Sequence, residues 1–150
     1  MIFATSDIHG YPLDLFQDLL RKAEFGSSDH LYVIGDVIDR NGDGGVAMLR
    51  WMMRKPNVTL LRGNHEAMML DCDFLFTMDA VSLNLTELTP IQEYALSLWH
   101  RNGGMNTIAN LMNLNQSDPE ELTILLDYVQ SAPVCVEVSV PMKRFVLVHG

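Results

Sequence analysis

Three short apolar runs in the first part of this chain each stop at a compact polar turn, and a fourth stops on a histidine. Residues 2–6 run into Asp7-Ile8-His9-Gly10, and His30–Ile34 into Gly35-Asp36-Val37-Ile38-Asp39-Arg40. Val58–Leu61 runs into Arg62-Gly63-Asn64-His65-Glu66, and residues 144–148 into His149-Gly150. Short apolar runs separated by stretches of helical spacing predict an α/β sheet. In open α/β sheets the carboxyl ends of the strands share one edge, and ligands bind beyond it. Chance can place one aspartate or histidine at the end of one strand. It accounts poorly for Asp, His, Asp, Asn, His and His at the ends of four.

Between these runs the spacing predicts helices over residues 12–23 and 45–54. A long helical region follows over residues 65–131, broken near 82–89, 102–104 and 115–119. Ser117-Asp118-Pro119-Glu120-Glu121 has the order of a helix start: a capping side chain, then proline and acids in the first turn. Residues 134–140 and 144–148 read as a hairpin turning at Pro141-Met142-Lys143. Most of the ten methionines, Met48, Met52, Met53, Met68 and Met69 among them, fit helix faces that pack a core. His30 and His100 read as surface or capping residues. Asp29, Asp43, Asp71, Asp73 and Asp79 read as solvated turns and helix ends.

With 150 residues, 48% of them hydrophobic, the chain has the makeup of one globular domain with a core. No apolar run reaches the roughly 18 residues of a membrane span, and no basic leader opens the sequence. Cys72 and Cys135 lack paired spacing, so two buried free thiols in a reducing, cytoplasmic setting are expected. The formal charge of −9, without a cluster of Lys or Arg, argues against nucleic acid as a partner.

The donors collected at the strand ends are carboxylate, amide and imidazole. Such a mixture suits manganese, iron or zinc better than calcium, which takes oxygen alone. Two such ions roughly 3.5–4 Å apart can acidify a shared water and clamp phosphate oxygens. A single carboxylate between them is the economical bridge.

Asp7-x-His9-Gly10, Gly35-Asp36-x-x-Asp39-Arg40 and Gly63-Asn64-His65-Glu66 together resemble the three signature blocks of the calcineurin-like metallophosphoesterases, in particular the phosphoprotein phosphatase branch with its bacterial and phage members. Trp99-His100-Arg101-Asn102-Gly103-Gly104, with Thr107, is similar to a Trp…Asn-Gly-Gly…Thr segment of those bacterial enzymes. Val146-Leu147-Val148-His149-Gly150 is similar to the strand that delivers their next metal-binding histidine. The resemblance implies a two-sheet α/β sandwich with flanking helices and a helical insertion between Glu66 and Ala132. It implies metal-dependent hydrolysis of phosphate monoesters, of the serine/threonine protein phosphatase type, by a metal-activated water. Asp7 and His9 would bind the first of two divalent ions, Asp36 both, and Asn64 and His149 the second, with manganese preferred over iron or zinc. His65 would protonate the leaving oxygen, oriented by Asp39, and Arg40 and Arg62 would hold the phosphate. The substrate would be a phosphorylated protein or a small phosphoester, with no nucleic acid or membrane partner.

In two respects the sequence departs from that pattern. Asn41 stands between Arg40 and Gly42, where the family usually has glycine directly after the arginine. The chain also ends at Gly150, before the strands that bring a further histidine and arginine in the family. It is therefore expected to be an N-terminal part of a longer catalytic domain, to bind the second metal weakly and to hydrolyse slowly alone. A dinucleotide polyphosphate hydrolase on the same scaffold, a phosphodiesterase and a catalytically silent metal-binding module are the competing readings. Trp99 is open between a helix-end anchor and a wall of the cleft.

Overall fold

The computed structural model describes residues 1–77 and 88–150. Strands β1 (Ile2–Thr5), β2 (His30–Ile34) and β3 (Val58–Leu61) form a parallel sheet in that order. Thr5 pairs with Val33 and Ile34 with Leu61, so the three carboxyl ends are level within a residue. The polar turns therefore leave the sheet side by side. Helices α1 (Leu13–Lys22) and α2 (Val46–Met52) make the two crossovers that parallel pairing demands. α2 lays Met48, Leu49 and Met52 into the core beside Leu31, Val33 and Leu60. It is shorter than the spacing suggests, because Gly45 sits in a left-handed conformation (φ 79°) as its N-cap.

Beyond β3 come α3 (Asn64–Asp71), α4 (Phe74–Thr77), α5 (Pro90–Arg101), α6 (Met105–Ser117) and α7 (Pro119–Ser131). The break between α3 and α4 at Cys72-Asp73 was not legible as a stop, since neither residue punctuates a helix strongly. Most of the break expected over 82–89 falls outside the described residues, as does Asp79. At its edge, Thr89 accepts from Gln92 N and Gln92 returns a bond to Thr89 N, a capping box ahead of Pro90. Asp118 caps α7 as expected, accepting from Glu121 N at 2.9 Å. α3 packs on α5, and α6 on α7.

β4 (Cys135–Val140) and β5 (Lys143–Val148) form the antiparallel hairpin, turning at Pro141-Met142 with Met142 left-handed. Val138, Val140, Phe145 and Leu147 face Ile2, Phe3 and Ala4 across a groove, so the fold is a mixed α/β arrangement of two sheets. Cys135 corrects an expectation: Cys72 is buried, but Cys135 is exposed, because it pairs with Val148 on the outer face of the hairpin. His30 also departs from the surface reading. It is half-buried in β2 and bonds Thr59 Oγ1 of β3 at 2.8 Å. Among the described residues no helix is long and apolar enough to cross a membrane.

Candidate metal centre

The four strand ends converge on Asp36. Its carboxylate is buried, with Oδ2 3.6 Å from His9 Nε2 and Oδ1 3.3 Å from His149 Nε2. Two donor sets share it: His9, Asp36 and His65 on one side, Asp7, Asp36 and His149 on the other, each with ligand atoms within 4.8 Å of one another. Asp7 also reaches the first set, with Oδ1 3.9 Å from His9 Nε2. Asn64 Oδ1 lies 3.0 Å from His149 Nε2.

The imidazoles are turned by backbone. His9 Nδ1 bonds the Ile38 carbonyl at 3.0 Å and His149 Nδ1 the Ile34 carbonyl at 2.9 Å. Each ring donates from Nδ1 to a carbonyl and turns Nε2 to the centre. Around His149, Nε2 faces two oxygens, Asn64 Oδ1 and Asp36 Oδ1. A positive species among them, a ring proton or a bound cation, satisfies all three. The donor set therefore fits divalent cations, and its mix of imidazole, amide and carboxylate matches first-row metals.

Asp7 is exposed, and a hydrogen bond from the Ser6 side chain, aided by the charges of His149, His9 and Arg40, holds its carboxyl below the usual 3.8. It is anionic under ordinary conditions.

His65 is buried with its ring edge-on to His9. Its Nδ1 is 2.6 Å from Asp39 Oδ2, and its Nε2 is 3.3 Å from Arg40 Nη2. Burial works against a charge on His65, but the hydrogen bond to Asp39 and the carboxylates of Asp36 and Asp39 outweigh it, so its pKa lies above the ordinary 6.5. Arg40 is exposed at the rim, and its backbone N–H bonds the Gly103 carbonyl. The Arg62 side chain is placed elsewhere: Nη1 donates to the Gln130 carbonyl at 3.3 Å, and no hydrogen bond or ion pair joins it to the cluster among the described residues.

Backbone strain gathers here. Asp7, His9, Asp36, Asp39 and Arg40 all have φ between 44° and 75°. Left-handed backbone costs a non-glycine residue roughly 1–2 kcal/mol, and such costs persist where surrounding structure over-determines them. Glu66 supplies much of that over-determination. Fully buried, it accepts from Asp36 N and Gly63 N at 2.9 Å and Val37 N at 2.8 Å, with Ile38 N at 3.4 Å, and so staples the second turn to the third. Burial pushes its pKa up against the pull of those N–H groups. Asn41, the departure in the arginine block, ties the second turn to the first by donating to the His9 carbonyl at 2.9 Å. It does not carry the left-handed turn itself; Arg40 and Gly42 do.

Sequence reasoning assigned no role to Glu66, although its spacing after Gly63 is that of a residue reaching back to a helix N-cap. It also left Thr107 without a role and Trp99 undecided. Trp99 is fully buried, an anchor and not a cleft wall, with Nε1 donating to Asp39 at 2.9 and 3.0 Å.

A parallel sheet whose carboxyl edge gathers two candidate donor sets around one carboxylate makes a candidate metal centre, and the chain belongs to the calcineurin-like phosphoesterase family, which it matches over residues 1–132. It is similar to serine/threonine-protein phosphatase 1 of Salmonella typhimurium (strain LT2), 40% identical over 75 residues, a stretch that is 47% of this chain and 32% of that protein. The match thus spans about a third of the relative's length.

Proposed function

We propose that this chain hydrolyses phosphate monoesters, with phosphoserine and phosphothreonine of proteins as its substrate class. The observation that carries the reading is the sharing of Asp36 between two donor sets. Asp7, His9 and Asp36 would hold one divalent ion and Asp36, Asn64 and His149 a second, manganese fitting best and iron or zinc less well. When bound, such ions polarise phosphoryl oxygens and acidify water. The chain's own groups do the rest. Arg40 at the rim offers a planar fork to phosphate oxygens. His65, though within reach of Asp36, has the Arg40 cation before its Nε2 and a carboxylate behind its Nδ1. The carboxylate behind Nδ1 favours the protonated ring, so His65 is the proton donor to the leaving oxygen once Arg40 turns from Nε2 to the phosphate. Arg62 would join the phosphate only by leaving the Gln130 carbonyl.

The reading is supported by family membership and by the phosphatase named among its relatives. Phosphate release from a phosphoserine peptide, with saturating manganese, tests it. The protein should be active, and Asp36→Asn should lower the rate by more than about a hundredfold, beyond the 10–100-fold typical of losing a supporting group. Full activity in Asp36→Asn, or turnover of a dinucleotide polyphosphate with none of the peptide, would contradict it.

A further inference from the structure

Among the described residues, the hydrogen bonds from α5, α6 and the turn between them to the centre fall on Asp39 and Arg40. Trp99, in the last turn of α5, donates Nε1–H to the Asp39 carboxylate at 2.9 and 3.0 Å. Thr107, in the first turn of α6, places Oγ1 2.5 Å from Asp39 Oδ1 and accepts from Asp39 N at 3.2 Å. Gly103, between the two helices, accepts from Arg40 N at 3.0 Å. Asp39, Trp99 and Thr107 are all fully buried. We infer that Trp99 and Thr107 are positioning residues, which clamp the Asp39 carboxylate so that its Oδ2 holds His65 in one tautomer with Nε2 turned to the leaving oxygen.

Both Asp39 oxygens are engaged. Oδ1 lies against the Thr107 hydroxyl, which also has the Gly44 carbonyl at 3.1 Å, and both oxygens face the indole N–H, so the carboxylate is held with Oδ2 toward His65 Nδ1. Burying a carboxylate costs free energy unless its oxygens are hydrogen-bonded, and Trp99, Thr107 and His65 supply those bonds. The imidazole N–H is then held at Nδ1. Nε2, which faces Arg40 Nη2 at 3.3 Å, carries the transferable proton once Arg40 turns to the phosphate.

The inference rests on the phosphomonoesterase reading and narrows it. In that reaction the water oxygen forms a new bond to phosphorus while the ester P–O bond breaks. The bonding pair leaves on the ester oxygen, which takes the Nε2 proton of His65, while the attacking water releases one proton to solvent and the ring recovers one from it. An aryl leaving group such as dinitrophenolate is stable without that proton, whereas an alkoxide is not. A rigidly built proton donor therefore marks alkyl phosphates, serine and threonine esters among them, as the substrates that need this corner.

The test compares Thr107→Val, which keeps the shape and removes the hydroxyl, with Thr107→Ser, which restores it, and with Trp99→Phe. Each is assayed with saturating manganese on a phosphoserine peptide and on 2,4-dinitrophenyl phosphate. We expect Thr107→Val and Trp99→Phe to lose about tenfold or more in kcat/KM on the peptide, part of the 10²–10⁴-fold a general acid supplies. On the dinitrophenyl ester they should stay within about twofold, and Thr107→Ser should recover the peptide rate. The far-downfield proton signal of the His65 Nδ1–H bond should weaken in Thr107→Val, a readout independent of turnover and of whether Trp99→Phe folds. Equal losses on both esters, or an unchanged Nδ1 proton signal in Thr107→Val, would overturn the positioning role alone. A wild-type protein inactive on both esters would overturn the hydrolase reading on which it rests.

Discussion

Gly63 carries more of the centre than its lack of a side chain suggests. Its φ of −92° is open to any residue, so no backbone rule demands glycine there. The demand is steric: a Cβ at this position would lie 2.4 Å from Asp36 Oδ1 and 2.6 Å from Asp36 N. Gly63→Ala should therefore displace the Asp36 carboxylate, the proposed bridge, while leaving the helices intact. Manganese affinity measured by calorimetry should fall by at least about tenfold, within the range seen when groups supporting a metal site are lost, with an unchanged far-UV spectrum. An unaltered affinity would mean that Asp36 can move without consequence. The residues that the structure gathers at the sheet edge were legible in the sequence, since Asp7, His9, Asp36, Asn64, His65 and His149 stand at strand ends. Their supports were not. Trp99 and Thr107 meet Asp39 across separations of 60 and 68 residues. No local periodicity encodes such a meeting, and the Arg62 side chain turns toward Gln130 for reasons that depend equally on where α7 ends.

The elements divide the same way between local and distant causes. β2 and β3 have the bounds that their apolar runs suggest, because turn residues bracket each run tightly. α5 and α7 begin where capping side chains and prolines set them, at Thr89-Pro90 and Asp118-Pro119. What joins α7 to α2 is a tertiary matter: Arg50 pairs with both carboxylate oxygens of Glu121, at 2.9 and 2.6 Å, and Arg54 adds a third bond. The hydrogen bond from Arg50, with the charges of Arg50 and Arg54, holds the Glu121 pKa below its usual 4.5. A carboxyl whose pKa is depressed on folding stabilises above its unfolded pKa, and that contribution is lost as pH falls through the folded value. Wild-type protein and Glu121→Gln should therefore differ near neutral pH by about 1 kcal/mol, a shift in Tm of roughly 2–4 °C. The difference should shrink as pH falls below 4.5. Thermal melts of both proteins from pH 7 to pH 3 measure it, and a gap that widens with acid would reverse the assignment.

Taken whole, the molecule is a sheet edge built to hold charge. The parallel sheet levels its three strand ends, the hairpin brings His149 to the Ile34 carbonyl, and the helical insertion secures Asp39 and Arg40 from the side. The strain in five left-handed residues is concentrated at this edge and offset by Glu66, Asn41 and the core beneath. The sandwich class could be read from the alternation of apolar runs and helical spacing. The exposed outer face of the hairpin could not, because the apolar side chains of Cys135, Val146 and Val148 carry no local sign of which face they take. All of these features serve one claim, that Asp36 stands between two cations. A crystal soaked in manganese and measured at the manganese absorption edge addresses it directly. Two anomalous peaks are expected roughly 3.5–4 Å apart, one on each side of the Asp36 carboxylate, with Asp7 and His9 on the first and Asn64 and His149 on the second. One peak that Asp36 does not touch, or none at all, would contradict it.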